Sequence, residues 1–168
     1  KNLPKEFDGY RLVHISDLHV SSFNHNLKKM ERVVKKINSQ EGDIILFTGD
    51  LVSNSPNELN EYQDVLSGLK GADGVFSVLG NHDYLLYNRW DSENDRLQAM
   101  EELAARQKAM GWRLLLDETV RISRGDSSSI SIIGVENTSA HKHFNSDGDL
   151  KRAMEGSDSP YKILLSHD

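Results

Sequence analysis

The chain has 168 residues, 37% hydrophobic and 27% charged, with a formal net charge of -6. That length and apolar content suit one domain with a real core, and the acidic balance excludes a broad basic face for nucleic acid. No cysteine is present, which excludes disulfides and thiolate metal sites, so any metal here must be held by carboxylate, imidazole or amide groups.

In chain order, "RLVHIS" (11–16) reads as a strand that runs into Asp17, Leu18 and His19. Residues 25–39 place Leu27, Met30, Val33, Val34 and Ile37 at helical spacing. "DIILFT" (43–48) is nearly continuous apolar, the pattern of a strand buried on both faces, and it runs into Gly49 and Asp50. Ser55, Pro56, Asn57 and Glu58 form a capping box with proline at the first helical position. Leu59, Tyr62, Val65, Leu66 and Leu69 follow it as one stripe. "GVFSVL" (74–79) runs into Gly80, Asn81, His82 and Asp83. The aromatics of "YLLYNRW" (84–90) either pack as a helix lead-in or line a wall beside the preceding loop.

Ser92 caps a third helix carrying Leu97, Met100, Leu103 and Ala104. "WRLLL" (112–116), "TVRIS" (119–123) and "ISIIGV" (130–135) are strands spaced like a meander, with "RGDSSSIS" (124–131) as a hairpin tip. "AHKHF" (140–144) reads as a polar surface loop. "YKILLS" (161–166), again nearly continuous apolar, runs into His167. His14 lies inside a strand and reads as packed or hydrogen-bonded, and His25, near a helix start, as solvated. The first half is therefore strand–helix–strand–helix–strand, which predicts a parallel sheet with right-handed crossovers. The second half is mostly strands. One α/β domain over residues 1–168 is expected, with two packed sheets and helices outside.

Four strands thus end in a residue able to ligate a cation: Asp17 with His19, Asp50, Asn81, and His167. Ligands of such sheets bind outside the carboxyl ends of the strands, and parallel strands bring those ends to one edge. Positions i and i+2 of an extended segment point the same way, so Asp17 and His19 are expected to reach one cation together. Gly49 and Gly80 permit close backbone approach. Each motif alone is more often a turn or a cap; their common phase with the strand ends is what points to metal. Mixed carboxylate, imidazole and amide donors suit Mn, Fe or Zn better than Ca. Asp50, in the middle of the set, is the natural bridge between two cations about 3.5–4 Å apart.

"DLH", "GDLV", "GNHD" and "LLSH" resemble the motifs of the calcineurin-like metallophosphoesterases, and "RLVHISDLHVSSF" resembles their phosphodiesterase-type branch. The resemblance spans residues 11–168. It implies a four-layer α/β/β/α sandwich of two mixed β-sheets with a dinuclear centre of two divalent metal ions (Mn, Fe or Zn). It implies a phosphoesterase that attacks phosphomonoester, phosphodiester or pyrophosphate bonds with a metal-activated hydroxide. Asp17 and His19 would bind the first metal, Asp50 both, and Asn81 and His167 the second. His82 would contact the scissile phosphate and protonate the leaving oxygen; Asp83 receives no catalytic role. The implied substrate is a phosphoester small molecule or a lipid-linked one.

Two departures stand out. The family closes with a Gly-His-x-His segment after the strand that carries the last ligand, whereas this chain stops at Asp168. "AHKHF" precedes His167 and is in the wrong order to replace it. This predicts a domain incomplete at its C-terminus, short of its last strands. Ser53 also stands where many relatives carry an aspartate that orients the catalytic histidine. A serine is expected to hydrogen-bond His82 without stabilising its cation as a carboxylate would. These departures keep a second reading open, a non-catalytic metal- or phosphate-binding domain. No apolar run has the length of a membrane span and no signal peptide is present. The chain starts at Lys1, so trimming at its front is expected, and a membrane anchor outside this segment is compatible with the branch it resembles.

Overall fold

The structure, a computed structural model, describes residues 3–125, 127–138 and 148–167. Strands β1 (Leu12–Ile15), β2 (Ile44–Phe47), β3 (Val75–Ser77) and β4 (Trp112–Leu114) form one sheet in that order. All three pairings are parallel, in a register that aligns His14 with Leu46, Leu46 with Phe76, and Phe76 with Arg113. In the second sheet β5 (Glu118–Arg124) and β6 (Ser128–Gly134) form an antiparallel hairpin, and β7 (Tyr161–Leu165) adds in parallel to β6. The hairpin turn lies inside "RGDSSSIS" but is shorter than that stretch: β5 reaches Arg124, Gly125 adopts φ 60, and β6 already begins at Ser128.

The helices are α1 (Leu27–Asn38), α2 (Gln63–Leu66), α3 (Glu93–Ala109) and α4 (Leu150–Ala153). Alternation along β2 shows the layering. Ile45 and Phe47 face a core shared with Met30, Val34, Leu66 and Leu103 of the helices. Ile44 and Leu46 face a second core between the sheets, with Phe76, Val78 and Leu115 on one side and Val120, Ile122, Ile130 and Ile132 on the other. Ala153 of α4 packs on Ile133 and Val135 at the far face of the second sheet. The result is the expected α/β/β/α sandwich. The first sheet is parallel and the second is mixed, because helical crossovers join β1 to β4 whereas a tight hairpin joins β5 to β6. Among the described residues no helix is long and apolar enough to cross a membrane.

Four details differ from expectation. "WRLLL" does not begin a meander: α3 is a crossover that returns the chain to the first sheet, and the sheet changes only after Leu115, which enters the core between them. The capping box at Ser55 forms, yet it opens only a 3-10 turn (Pro56–Leu59) ahead of the four-residue α2. There the Glu58 carboxylate accepts the backbone N–H groups of Ser53, Asn54 and Ser55, which binds the turn to the preceding loop. On α3 the buried face is Ala99, Leu103 and Gln107, leaving Leu97 46% exposed. Gln107 is admitted to that face because its Oε1 accepts from Ser77 Oγ at 2.6 Å. Finally, β7 is an edge strand among the described residues and its Leu164 is 51% exposed, since its continuous apolar run meets the core on one face alone.

Candidate metal centre

The segments leaving β1, β2 and β3 are packed backbone to backbone. Gly49 adopts φ 95, and a Cβ on it would lie 2.2 Å from Gly80 N. A Cβ on Gly80 would lie 2.2 Å from Asp50 Oδ1. Glycine is therefore required at both positions for the two loops to touch. The N–H groups of Asp17, His19 and Val20 donate to the carbonyls of Gly49, Asp50 and Leu51, each at 3.0 Å. Asp17, His19 and Asp50 adopt φ of 53, 39 and 60. The left-handed region is uncommon for residues with a Cβ, and such conformations cluster at functional sites. The segment at Asp17 to His19 is thus not extended, and strand alternation does not govern where these two side chains point.

The Asp50 carboxylate is 3% exposed. Its Oδ1 accepts the His82 N–H at 2.9 Å. Its Oδ2 lies 3.3 Å from His19 Nε2 and 3.6 Å from His167 Nε2. His167 Nε2 is in turn 3.1 Å from Asn81 Oδ1. Two groups of ligand atoms each fall within 4.8 Å: Asp17, Asp50 and His167, and His19, Asp50 and His82. All six residues singled out in the sequence meet at one edge, with Asp50 common to both groups. The grouping sets Asp17 beside His167 and His19 beside His82, rather than Asp17 beside His19.

The outer nitrogens of His167 and His82 fix their protons. His167 Nδ1 is 2.7 Å from the Thr48 carbonyl, and His82 Nδ1 is 2.9 Å from the Ser53 carbonyl. A carbonyl only accepts, so each Nδ1 carries hydrogen and a neutral ring keeps Nε2 as an acceptor. His19 Nδ1 lies 3.2 Å from Ser53 Oγ, leaving its Nε2 toward Asp50. Such ties from the outer nitrogen to oxygen are what metal-ligating imidazoles make. Around His167 Nε2 the neighbours Asn81 Oδ1 and Asp50 Oδ2 are themselves acceptors, so a neutral ring there faces only repulsion. Donors that each sit about 2.1 Å from one cation stand roughly 3–4 Å from each other, the spacing found here. The donor set and its spacing fit divalent cations.

Asp83, buried, accepts four backbone N–H groups: Asp50 at 2.8 Å, Leu51 at 2.9 Å, Val52 at 3.1 Å and Gly80 at 3.0 Å. Burial pushes its carboxyl up, to about 7, with a smaller push from Asp50, while the N–H donors pull it down. Its part is to latch the loop after β2 to the loop after β3. Ser53 does hydrogen-bond His82, but through its carbonyl; its hydroxyl meets His19 and Ser21 instead. The carbonyls of Thr48 and Ser53 escaped sequence reading because a main-chain acceptor leaves no trace in residue identity. In 84–90 both readings hold: Tyr84 is buried, whereas Tyr87 lies against His82. His14 is hydrogen-bonded to Thr48 Oγ1 at 2.8 Å, and the exposed His25 pairs with Glu61 at 2.8 Å. The histidines of "AHKHF" lie outside the described residues.

Residues 10–168 match the family model described as calcineurin-like phosphoesterase. The chain belongs to that family. Among its relatives, an uncharacterized metallophosphoesterase of Bacillus subtilis, YkoQ, is 28% identical over 159 residues, which are 94% of this chain and 52% of that protein. The UDP-2,3-diacylglucosamine pyrophosphatase LpxG of Chlamydia trachomatis is 42% identical over 92 residues, 51% of this chain and 27% of that protein. A transmembrane protein with metallophosphoesterase domain from Bos taurus is 28% identical over 173 residues, covering 98% of this chain and 36% of that protein. This calcineurin-like phosphoesterase chain thus spans about half the length of the Bacillus relative and less of the other two.

Proposed function

We propose that the chain is the catalytic portion of a phosphoesterase that depends on two divalent cations, of Mn, Fe or Zn type, and hydrolyses phosphomonoester, phosphodiester or pyrophosphate bonds. The observation that carries this reading is the crowd of acceptors around the buried Asp50 carboxylate, held 3.3 to 3.6 Å from two imidazole nitrogens. Asp17, His19, Asp50, Asn81 and His167 would hold the cations, with Asp50 shared. Bound cations of this kind neutralise phosphate charge and lower the pKa of water to supply a nucleophile at neutral pH. Thr48 and Ser53 orient His167, His19 and His82 through their outer nitrogens. His82, with Nδ1 anchored on the Ser53 carbonyl, presents Nε2 to a leaving oxygen and, when doubly protonated, donates a proton to it. The named activity of LpxG supports a pyrophosphate-linked lipid as one substrate within the class.

A second reading is a non-catalytic metal- or phosphate-binding domain. The neutral acceptor behind His82 favours it, because a carbonyl stabilises an imidazolium less than a carboxylate does. Hydrolysis of bis-p-nitrophenyl phosphate with added Mn²⁺, beside elemental analysis of the protein, separates the two. Turnover that chelation abolishes and Mn²⁺ restores supports the enzyme. Metal bound without turnover supports the second reading; no metal bound refutes the metal-dependent enzyme and the metal-binding form of the second reading, and titration with inorganic phosphate then decides its phosphate-binding form.

A further inference from the structure

Tyr87 is 46% exposed, yet both parts of its side chain are engaged at the site. Its phenolic oxygen accepts from Asn81 Nδ2 at 2.8 Å. Its ring lies over His82, with centroids 4.4 Å apart and planes at 37°. His82 also meets His19 edge-on, with centroids 4.9 Å apart at 88°. The chain is shaped to hold Tyr87 there. Leu85 turns it at φ 58, and Trp90 Nε1–H donates to the Leu85 carbonyl at 2.8 Å, closing the loop that carries Tyr87.

An exposed tyrosine makes neither contact by default. Its hydroxyl is ordinarily satisfied by water, so a bond to a short, partly buried amide must be built by the loop. Asn81 needs that bond more than Tyr87 does. Its amide has an inner end at His167 Nε2, 3.1 Å away, and an outer end at Tyr87. A carboxylate offers a cation two equivalent oxygens, but an amide offers one and must be aimed. Without an outer anchor the side chain is free to leave the rotamer that points Oδ1 inward. It is equally free to turn its NH₂ toward His167 Nε2, which satisfies that nitrogen and removes the oxygen donor. A cation held at the inner end would favour the oxygen-inward amide, the orientation in which Asn81 Nδ2 donates to the phenol.

We propose that Tyr87 is a positioning residue for this centre. Its hydroxyl aims the Asn81 amide as an oxygen donor, and its ring fixes the orientation of His82. The proposal rests on the metal-centre reading above. The two roles use different atoms of one side chain, so two substitutions separate them: Tyr87→Phe removes the hydroxyl and keeps the ring, and Tyr87→Leu removes both.

The test is a calorimetric titration with Mn²⁺ on the unmodified chain and both variants, followed by turnover of bis-p-nitrophenyl phosphate at saturating Mn²⁺. Partners that orient a ligand contribute about 10–100-fold to metal affinity. Both variants are therefore expected to bind one of the two Mn²⁺ ions at least tenfold more weakly. At saturating Mn²⁺, Tyr87→Phe is expected to restore kcat, whereas Tyr87→Leu keeps a lowered kcat at unchanged KM. Thermal melting monitors the fold, and a merely structural role would lower it in both variants without this split. Unchanged Mn²⁺ affinity in Tyr87→Phe overturns the amide role. Equal kcat for the two variants at saturating Mn²⁺ overturns the ring role. No Mn²⁺ binding by the unmodified chain refutes the metal centre itself and takes the proposal with it.

Discussion

Before β2 and β3 begin, Asp43 and Asp73 sit among donors. Asp73 accepts from Tyr10 Oη at 2.9 Å and from Arg124 Nη2 at 2.7 Å, and Asp43 accepts the Arg11 N–H at 2.7 Å. The Arg124 guanidinium also lies over the Tyr10 ring, 5.6 Å from its centre. Where β1, β2 and β3 end, Asp17, Asp50 and Asn81 gather with His19 and His167 instead, and a neutral His167 ring turns an acceptor nitrogen toward Asp50 and Asn81. The first end is balanced: each carboxylate has its donors, and the cluster binds the second sheet to the first through Arg124. The second end crowds carboxylate and amide oxygens around imidazole nitrogens, and under the proposed reading this is where a cation would be held. A polar cluster whose donors and acceptors cancel serves stability, and one left with surplus acceptors serves binding.

The sharpest way to break this contrast is Asp50→Asn. It removes the charge shared by both ligand groups, so bound metal should disappear by elemental analysis and turnover with it; an unchanged metal content would refute the bridging role. His82→Ala is expected to lower turnover roughly 10²–10⁴-fold, the range of a general acid, with metal content intact. Asp83→Asn should act on folding rather than chemistry. It sets an amide NH₂ against buried N–H groups, with an expected loss of about 2–4 kcal/mol by denaturant titration. A loss near zero would show that the latch does not bear on stability.

The balanced end should respond weakly and only in stability. Tyr10→Phe is expected to cost about 1 kcal/mol, read by the same titration, with turnover unchanged. Burial, and then Asp73, hold the Tyr10 phenol above its ordinary value of 10.0. The unfolded chain therefore releases that proton first, and the stability it contributes is present below pH 10 and fades as pH rises further. Tyr10→Phe should flatten that alkaline decline; an unchanged slope would show that the loss comes from other groups.

The candidate metal centre was legible because residue identity carries ligand chemistry. Asp17, His19, Asp50, Asn81 and His167 each follow an apolar run, and apolar runs mark strands. What identity does not carry stayed hidden. The left-handed turns at Asp17, His19 and Asp50 arise from contact between loops, as do the carbonyls of Thr48 and Ser53 that set the histidine protons. The strand cadence was legible too, but not the sheet each strand joins. β4 reads locally like its neighbour β5, and only the crossover through α3 returns it to the parallel sheet. At β7 an apolar run looked buried on both faces, although among the described residues only the face with Ile163 and Leu165 meets the core and Leu164 is exposed.

Asp83 has one more consequence, for the order in which the molecule assembles. The amides it grips at Asp50, Leu51 and Val52 lie 31 to 33 positions earlier in the chain. Closing so long a segment is entropically uphill until neighbouring strands have already met. The edge these loops build is therefore expected to form late on the folding route, downstream of docking β2 onto β3.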